Sequence, residues 1–437
     1  MTLIDLGDVA GAAAEPRAAP VNLPRLCRLA LAVLAVAGLL ALAAAAPPAP
    51  SLVRPLWAAA FRAGDTMALD GRTVYLSRTN PAGLRGVTAY DLSTGKPRWS
   101  TPADAGVAGY GVRPAGDVLL VPAAPLLIQG VEPDGSTPGR GTIALDAATG
   151  EQLWRADGDA FPSVERGDAL LAETDQFGVT TGLRLVGLRD GHEVWGHAIA
   201  PAEQWTTLAE DGRPTAIVAV TRTGDATVYG YDDGTVRHRG RIPWNGVYSA
   251  TLFPAGPYLV VVRTASAQTV ATIYRAADLR PLWRSDELIG YVTGCGALIC
   301  TAGVRGVVGR EPATGREVWR RNDMNFVWDL GGGRLLLSAA ANLASATTVL
   351  VDTATGRTIG HPFGGQQAFS AGAAGSLLLL RGTRTPPDRT AVNRLDLATG
   401  RQTVLGTVDR FAEQDCRGTP GYLLCPRGDT LTVTAVG

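Results

Sequence analysis

Short apolar runs separated by turns, not helical periodicity, organise most of this chain. Thr73–Leu76, Val118–Val121, Leu259–Val262, Leu335–Leu337 and Leu377–Leu380 are largely apolar, of strand length, and set among Gly, Asp and Thr, the pattern of buried strands between tight turns. A recurring phrase accompanies them between residues 89 and 404. It consists of an apolar strand, an Asp or Glu, a turn usually closing in Thr-Gly, and a second strand often carrying Trp. The clearest copies run from Asp91 through Gly95 to Trp99, from Asp146 through Gly150 to Trp154, and from Glu311 through Gly315 to Trp319. An acidic side chain opening such a turn can accept backbone N–H bonds, and Gly supplies the positive φ that a hairpin bulge demands.

Weaker copies surround Gly191 with Trp195, Gly234 with His238, Leu279 with Trp283, Gly356 with Gly360, and Gly400 with Val404. Within a unit the turn residue and the aromatic therefore vary independently. Successive turn positions lie 55, 41, 43, 45, 36, 41 and 44 residues apart. A period in the low forties with four strands per interval predicts an all-β β-propeller of four-stranded blades. Gly421–Val436 supplies only inner strands, whereas Arg54-Pro55-Leu56-Trp57 repeats Arg280-Pro281-Leu282-Trp283, the fourth strand of an internal unit. The N-terminal strand is therefore expected to close the last blade, which removes an exposed sheet edge. The count is eight or nine units.

Leu29 to Ala46 is an unbroken run of 18 apolar residues, long enough to cross most of a ~30 Å hydrocarbon core as a helix. Arg17, Arg25 and Arg28 precede it, and Pro47, Pro48 and Pro50 follow with only Arg54 nearby. That asymmetry predicts a cell-membrane protein with a cytoplasmic N-terminus and an extracytoplasmic propeller. The expected layout is a short cytoplasmic tail (1–28), a transmembrane helix (29–46), a Pro-rich linker (47–53) and the propeller (54–437). A cleaved secretion signal is the rival reading and exports the propeller equally. Cys27 precedes the apolar run, so a lipoprotein attachment site is not apparent.

Composition narrows the partners. The chain has 437 residues, 46% hydrophobic, with 54 Gly, and 40 basic against 40 acidic residues. A net charge of zero offers no field for a polyanion, so no nucleic-acid partner is expected. Cys295 and Cys300, and Cys416 and Cys425, lie in corresponding parts of two units, as hairpin staples would in an oxidising compartment. Four cysteines allow three connectivities, of which the recurrence favours the local one.

The phrase with Ala-Leu-Asp146, Thr149-Gly150 and Trp154 resembles the pyrroloquinoline-quinone (PQQ)-like β-propeller repeat, over roughly residues 51 to 437. The resemblance implies that Trp57, Trp99, Trp154, Trp195, Trp283 and Trp319 dock between neighbouring blades. The family holds quinoprotein dehydrogenases and non-enzymatic relatives, among them an outer-membrane assembly scaffold and extracytoplasmic sensor domains, so fold alone does not choose. The dehydrogenases are known for a disulfide between adjacent cysteines beside the quinone, a calcium site and a catalytic Asp. No two cysteines are adjacent here, the calcium ligands cannot be placed, and Cys-x-x-Cys-His is missing. The resemblance therefore points to the non-enzymatic branch, with no catalytic residue, no cofactor and no metal.

Other chemistry is poorly represented. His192 and His197 lie five apart, on opposite faces of a strand, and with His238 and His361 show no zinc spacing. Asp232-Asp233-Gly234 and Asp134-Gly135-Ser136 resemble calcium-loop fragments without the further oxygen ligands. No Gly-x-Ser-x-Gly elbow, phosphate loop or His-Glu-x-x-His helix occurs. Trp205, Trp244 and Trp328 fall outside the repeat position and are the candidate ligand contacts. Pro122–Gly141 and Arg381–Thr390 interrupt the spacing as inserts, where loops on a rigid ring often carry specificity. The expectation is a membrane-anchored propeller serving as a non-catalytic protein-interaction or sensing scaffold, with a partner protein completing any signal. The alternatives are a quinoprotein-type dehydrogenase, or a glycan- or small-ligand-binding protein using the central funnel.

Overall fold

The computed structural model describes residues 23–44, 51–79, 85–101, 111–125, 139–210, 212–244, 249–265, 268–285, 287, 289–340, 347–368, 375–411 and 416–437. The chain divides into two compact units, Met1–Pro50 and Ser51–Gly437. In the first, helix α1 spans Leu23–Ala44, 22 residues. Among the described residues no helix is long and apolar enough to cross a membrane. Several side chains of α1, and Ala45 and Ala46 of the expected span, lie outside those residues.

The second unit is built from antiparallel strands: seven four-stranded sheets and one of seven strands. The larger sheet is two repeats fused. Its 18-residue strand Glu193–Glu210 pairs along its first part with Thr180–Gly187 and from Ala202 onward with Arg213–Thr221. Counting that strand twice gives nine four-stranded units among the described residues, which settles the choice left by the spacing. In chain order we number them 1 (66–101), 2 (113–157), 3 (159–200), 4 (202–241), 5 (249–285), 6 (289–321), 7 (326–363), 8 (366–409) and 9 (417–436 with 53–60). Unit 9 is the composite one: Val53–Ala60 pairs with Thr430–Val436, setting Trp57 opposite Val433.

Burial explains why the central strands are apolar on both faces. In unit 7, Leu336 and Leu350 face unit 8, whereas Leu335, Leu337, Val349 and Val351 face unit 6. Alternate side chains of one strand thus serve two cores, as the two-residue period requires. Nine such cores join unit 1 to 2, 2 to 3 and so on through 8 to 9 and 9 to 1, so the propeller is a closed ring.

The seam between units 8 and 9 carries an extra tie. Leu52 donates its N–H to the Leu405 carbonyl at 2.8 Å and accepts from Gly437 N–H at 2.9 Å. The segment before the closing strand thereby clasps both neighbours.

Candidate functional site

The acidic turns are small hydrogen-bonded cages. Oδ1 of Asp91 accepts from Ser93 N and Oγ at 3.1 and 2.6 Å and from Thr94 N and Oγ1 at 3.0 and 2.9 Å. Asp396 repeats this with Ala398 N at 3.1 Å and Thr399 N and Oγ1 at 2.8 and 2.7 Å. These bonds favour the carboxylate. Ser93, then Arg98 and Thr94, hold the Asp91 carboxyl far below the usual range, and Arg275 holds Asp278 down at about 2. Gly95, Gly150, Gly191, Gly234, Gly315, Gly356 and Gly400 all have φ between 62° and 76°, and Leu279 takes the same conformation at 53°.

Each repeat-position Trp reaches across a seam to the next unit's turn. The indole N–H groups of Trp57, Trp99, Trp154, Trp195, Trp283 and Trp319 donate to the carbonyls of Leu92, Ala147, Leu188, Tyr231, Pro312 and Thr353 at 2.7 to 3.0 Å. A Cβ added to the facing turn glycine, Gly95, Gly150, Gly191, Gly234, Gly315 or Gly356, would come within 2.4 to 2.7 Å of the ring. The residue that each Trp must match therefore lies in the turn of the next unit, not in the turn of its own. Ring and turn are partners across the seam. Between units 4 and 5 both members of the pair are replaced, whereas between units 7 and 8 the turn glycine stays and only the Trp is lost. His238 and Leu279 together crowd Gly240, and Gly360 meets Gly400 backbone to backbone, 2.6 Å from a Cβ at Gly360 to the Gly400 oxygen. Val404 has no turn to face, because the strands it would meet in unit 9 come from opposite ends of the domain.

Disulfides join Cys295 to Cys300 and Cys416 to Cys425, with Cα atoms 5.8 and 4.4 Å apart. Each staples the first two strands of its unit, 6 or 9, inside an inter-unit core. Cys27 is an exposed free thiol. The histidines are scattered: His197 stacks on Trp195 at 5.5 Å, and among the described residues no cluster of His, Cys, Asp or Glu could hold a metal ion. Asp232 pairs with Arg166 and Asp233 caps its own turn through Thr235. Asp134, Gly135 and Ser136 lie outside the described residues. Both inserts join the second to the third strand of their units, and 126–138 of the first is likewise outside.

The three candidate tryptophans part company. Trp244 is only 5% exposed, within the core between units 4 and 5, and its indole N–H donates to Glu203 at 3.0 Å. A ligand cannot reach it, so this candidate is withdrawn. Trp205 and Trp328 are half-buried on the first strands of units 4 and 7, and they have company that the sequence reading missed. Phe161 of unit 3 meets Trp205 edge-on at 4.9 Å, Phe253 of unit 5 meets Tyr291 of unit 6 at 5.9 Å, and Phe326 stacks near Trp328 at 6.2 Å. The first strands of units 1, 2, 8 and 9 carry no aromatic residue, so this arc occupies one side of the innermost strands. Arg113 of unit 2 caps it, forked on Asp159 at 3.0 and 3.2 Å with its guanidinium 5.2 Å from the Phe161 ring centre. Phe161 and Tyr291 are the exposed members, at 40% and 42%.

Residues 51–219 match the family model described as outer membrane protein assembly factor BamB. No curated protein matches the chain. Among solved structures, BamB from Moraxella catarrhalis is similar over 88% of this chain and 97% of its own, at 14% identity and a TM-score of 0.41. A eukaryotic initiation factor is similar over 79% of this chain and 88% of its own, at 11% identity and a TM-score of 0.52. The quinohemoprotein alcohol dehydrogenase ADHIIG from Pseudomonas putida HK5 covers 70% of this chain and 69% of its own, at 11% identity and a TM-score of 0.42. The likeness to the BamB family thus rests on residues 51–219, and a β-propeller fold does not by itself fix what a protein does.

Proposed function

We propose that the protein is a single-pass membrane protein whose extracytoplasmic propeller acts as a non-catalytic scaffold for another protein. The observation that carries the reading is the match of 51–219 to a family described as an assembly factor, which is work done by binding and not by turnover. The two buried hairpin disulfides support an oxidising compartment. The apolar run 29–46 with its preceding arginines supports the anchor. A rigid ring offering loops and the inner aromatic arc suits a binding partner, since its blade faces are already occupied by neighbouring units.

Two experiments test this. Protease added to intact cells should digest the propeller and spare an N-terminal tag; a protected propeller contradicts the topology. Photo-crosslinkers at Phe161 and Tyr291 should trap a discrete protein in membranes. Dye reduction by the purified protein with added PQQ and calcium would overturn the non-catalytic reading and favour a dehydrogenase.

A further inference from the structure

Two of the nine seams have lost both halves of the Trp–turn pair; His238 and Leu279 fill the one between units 4 and 5, but beside the one between units 8 and 9 a cleft of about 400 Å³ opens. Its floor is apolar: Val53, Leu423 and Cys425 are buried there, and Phe411 and Val408 pack against the same core. Its mouth is charged. Asp409 takes Arg389 at 2.6 Å on one side and Arg427 at 2.8 Å on the other, the three side chains being 54%, 36% and 56% exposed. All three stand at the same end of the blades. Arg389 begins the third strand of unit 8, Asp409 ends its fourth, and Arg427 ends the second strand of unit 9.

An apolar cleft of this size with a few convergent polar groups is the usual form of a small-ligand site. One carboxylate shared between two guanidiniums leaves the mouth with a net charge of one positive, and each guanidinium presents five N–H donors in a fork that suits carboxylates. We propose that this cleft binds a carboxylate carried on a compact apolar group, the apolar part on the Val53–Leu423–Phe411 floor and the carboxylate between Arg389 and Arg427. Asp409 then acts as an internal competitor that holds the two arginines in place and limits affinity. The same chemistry occurs in a free amphipathic acid and in the C-terminal residue of a peptide. The inference stands apart from the scaffold reading, since it uses only the seam.

Calorimetric titration of the full chain in detergent with octanoate, octanol, acetyl-Gly-Leu and acetyl-Gly-Leu-amide tests it. Saturable binding of octanoate, of acetyl-Gly-Leu, or of both is expected, and which one binds identifies the source of the carboxylate. Octanol and the amide should bind at least fivefold more weakly. Asp409→Asn should tighten the acid by about fivefold, the order of one exposed ion pair, and Arg427→Ala should loosen it by a similar factor. Both substitutions are at exposed side chains, and unchanged melting temperatures would separate binding from folding. Val408→Trp, which fills the cleft, should abolish binding. Absence of saturable binding by either acid, or equal binding of the uncharged analogues, or indifference to Asp409→Asn and Arg427→Ala, each overturns the proposal.

Discussion

Trp319 in unit 6 donates its indole N–H to the Thr353 carbonyl of unit 7 at 2.9 Å, while Gly356 of the same turn lies flat against its ring. The hydrogen bond and the missing Cβ are two halves of one joint, repeated at six seams. The joint explains why the turn needs glycine twice over, once for a positive φ and once for close approach. Replacing Gly356 by Ala should therefore cost about 2–4 kcal/mol, from backbone strain plus overpacking. Gly64→Ala has a similar φ of 87° but nothing within 4 Å, and should cost only about 1–2 kcal/mol. Denaturant titration of the two variants checks the difference.

The seam between units 7 and 8 offers a contrasting case. Gly360 and Gly400 approach backbone to backbone, so restoring the consensus with Gly360→Trp should not stabilise the ring. We expect it to be destabilised, by about 1–3 kcal/mol or more, as a lower melting temperature. An increase would mean that this seam can reopen to accept the ring.

Acid should weaken the turns as a group. Asp91, Asp278, Asp352 and Asp396 are all held below the ordinary carboxylate range by hydrogen bonds in their turns or from Arg275. A carboxyl with a depressed folded pKa contributes its stability fully above its unfolded pKa, about 4, and loses it as pH falls through the folded value. Stability from these groups should be flat above about pH 5 and begin to fall below about pH 4, the Asp278 share going as pH passes about 2 and the Asp91 share going last. Asp278→Asn should flatten part of that fall in melting temperature against pH.

The disulfides close short loops, with sequence separations of 5 and 9. Chain entropy assigns each about 2–3 kcal/mol. Replacing Cys416 and Cys425 together by Ala should lower stability by that amount, measured against the oxidised parent. Adding reductant to the variant should then produce a further loss from Cys295–Cys300 alone.

At the seam between units 3 and 4, Tyr231, 1% exposed, donates its hydroxyl to Asp168 at 3.1 Å, while Arg166 binds the other carboxylate oxygen at 3.0 Å. Burial, then the Asp168 charge, pushes the phenol well above its usual range. Tyr231→Phe should cost about 1.5–3 kcal/mol, the value of a hydrogen bond to a charged group, without altering the strand content seen by circular dichroism.

Much of this ring was legible because the turn chemistry is local. Asp, Thr and Gly stand within five residues, and Arg54–Trp57 repeats Arg280–Trp283 residue for residue. The packing of Trp99 on Gly150, or the meeting of His238 and Leu279 over Gly240, was not legible, because the partners lie in different units. Trp244 looked available because it breaks the repeat, yet Glu203 and the core between units 4 and 5 claim it. Phe161, Tyr291 and Phe326 follow a repeat Trp by seven or eight residues, a spacing that could have placed them on first strands, but no polarity signal set them apart from core aromatics. The cleft between units 8 and 9 depends on Val53, Phe411 and Leu423 meeting across the closure, which no local pattern encodes.

A pair of double-mutant cycles tests the seam joint most directly. Trp99→Leu combined with Gly150→Ala crosses a seam, and Trp99→Leu combined with Gly95→Ala stays within one unit. If the joint is as described, removing the ring makes room for the new methyl. The first cycle should then show a coupling of about 1–3 kcal/mol, and the second should be additive within about 0.5 kcal/mol. Additivity in the first cycle, or equal coupling in both, would contradict it.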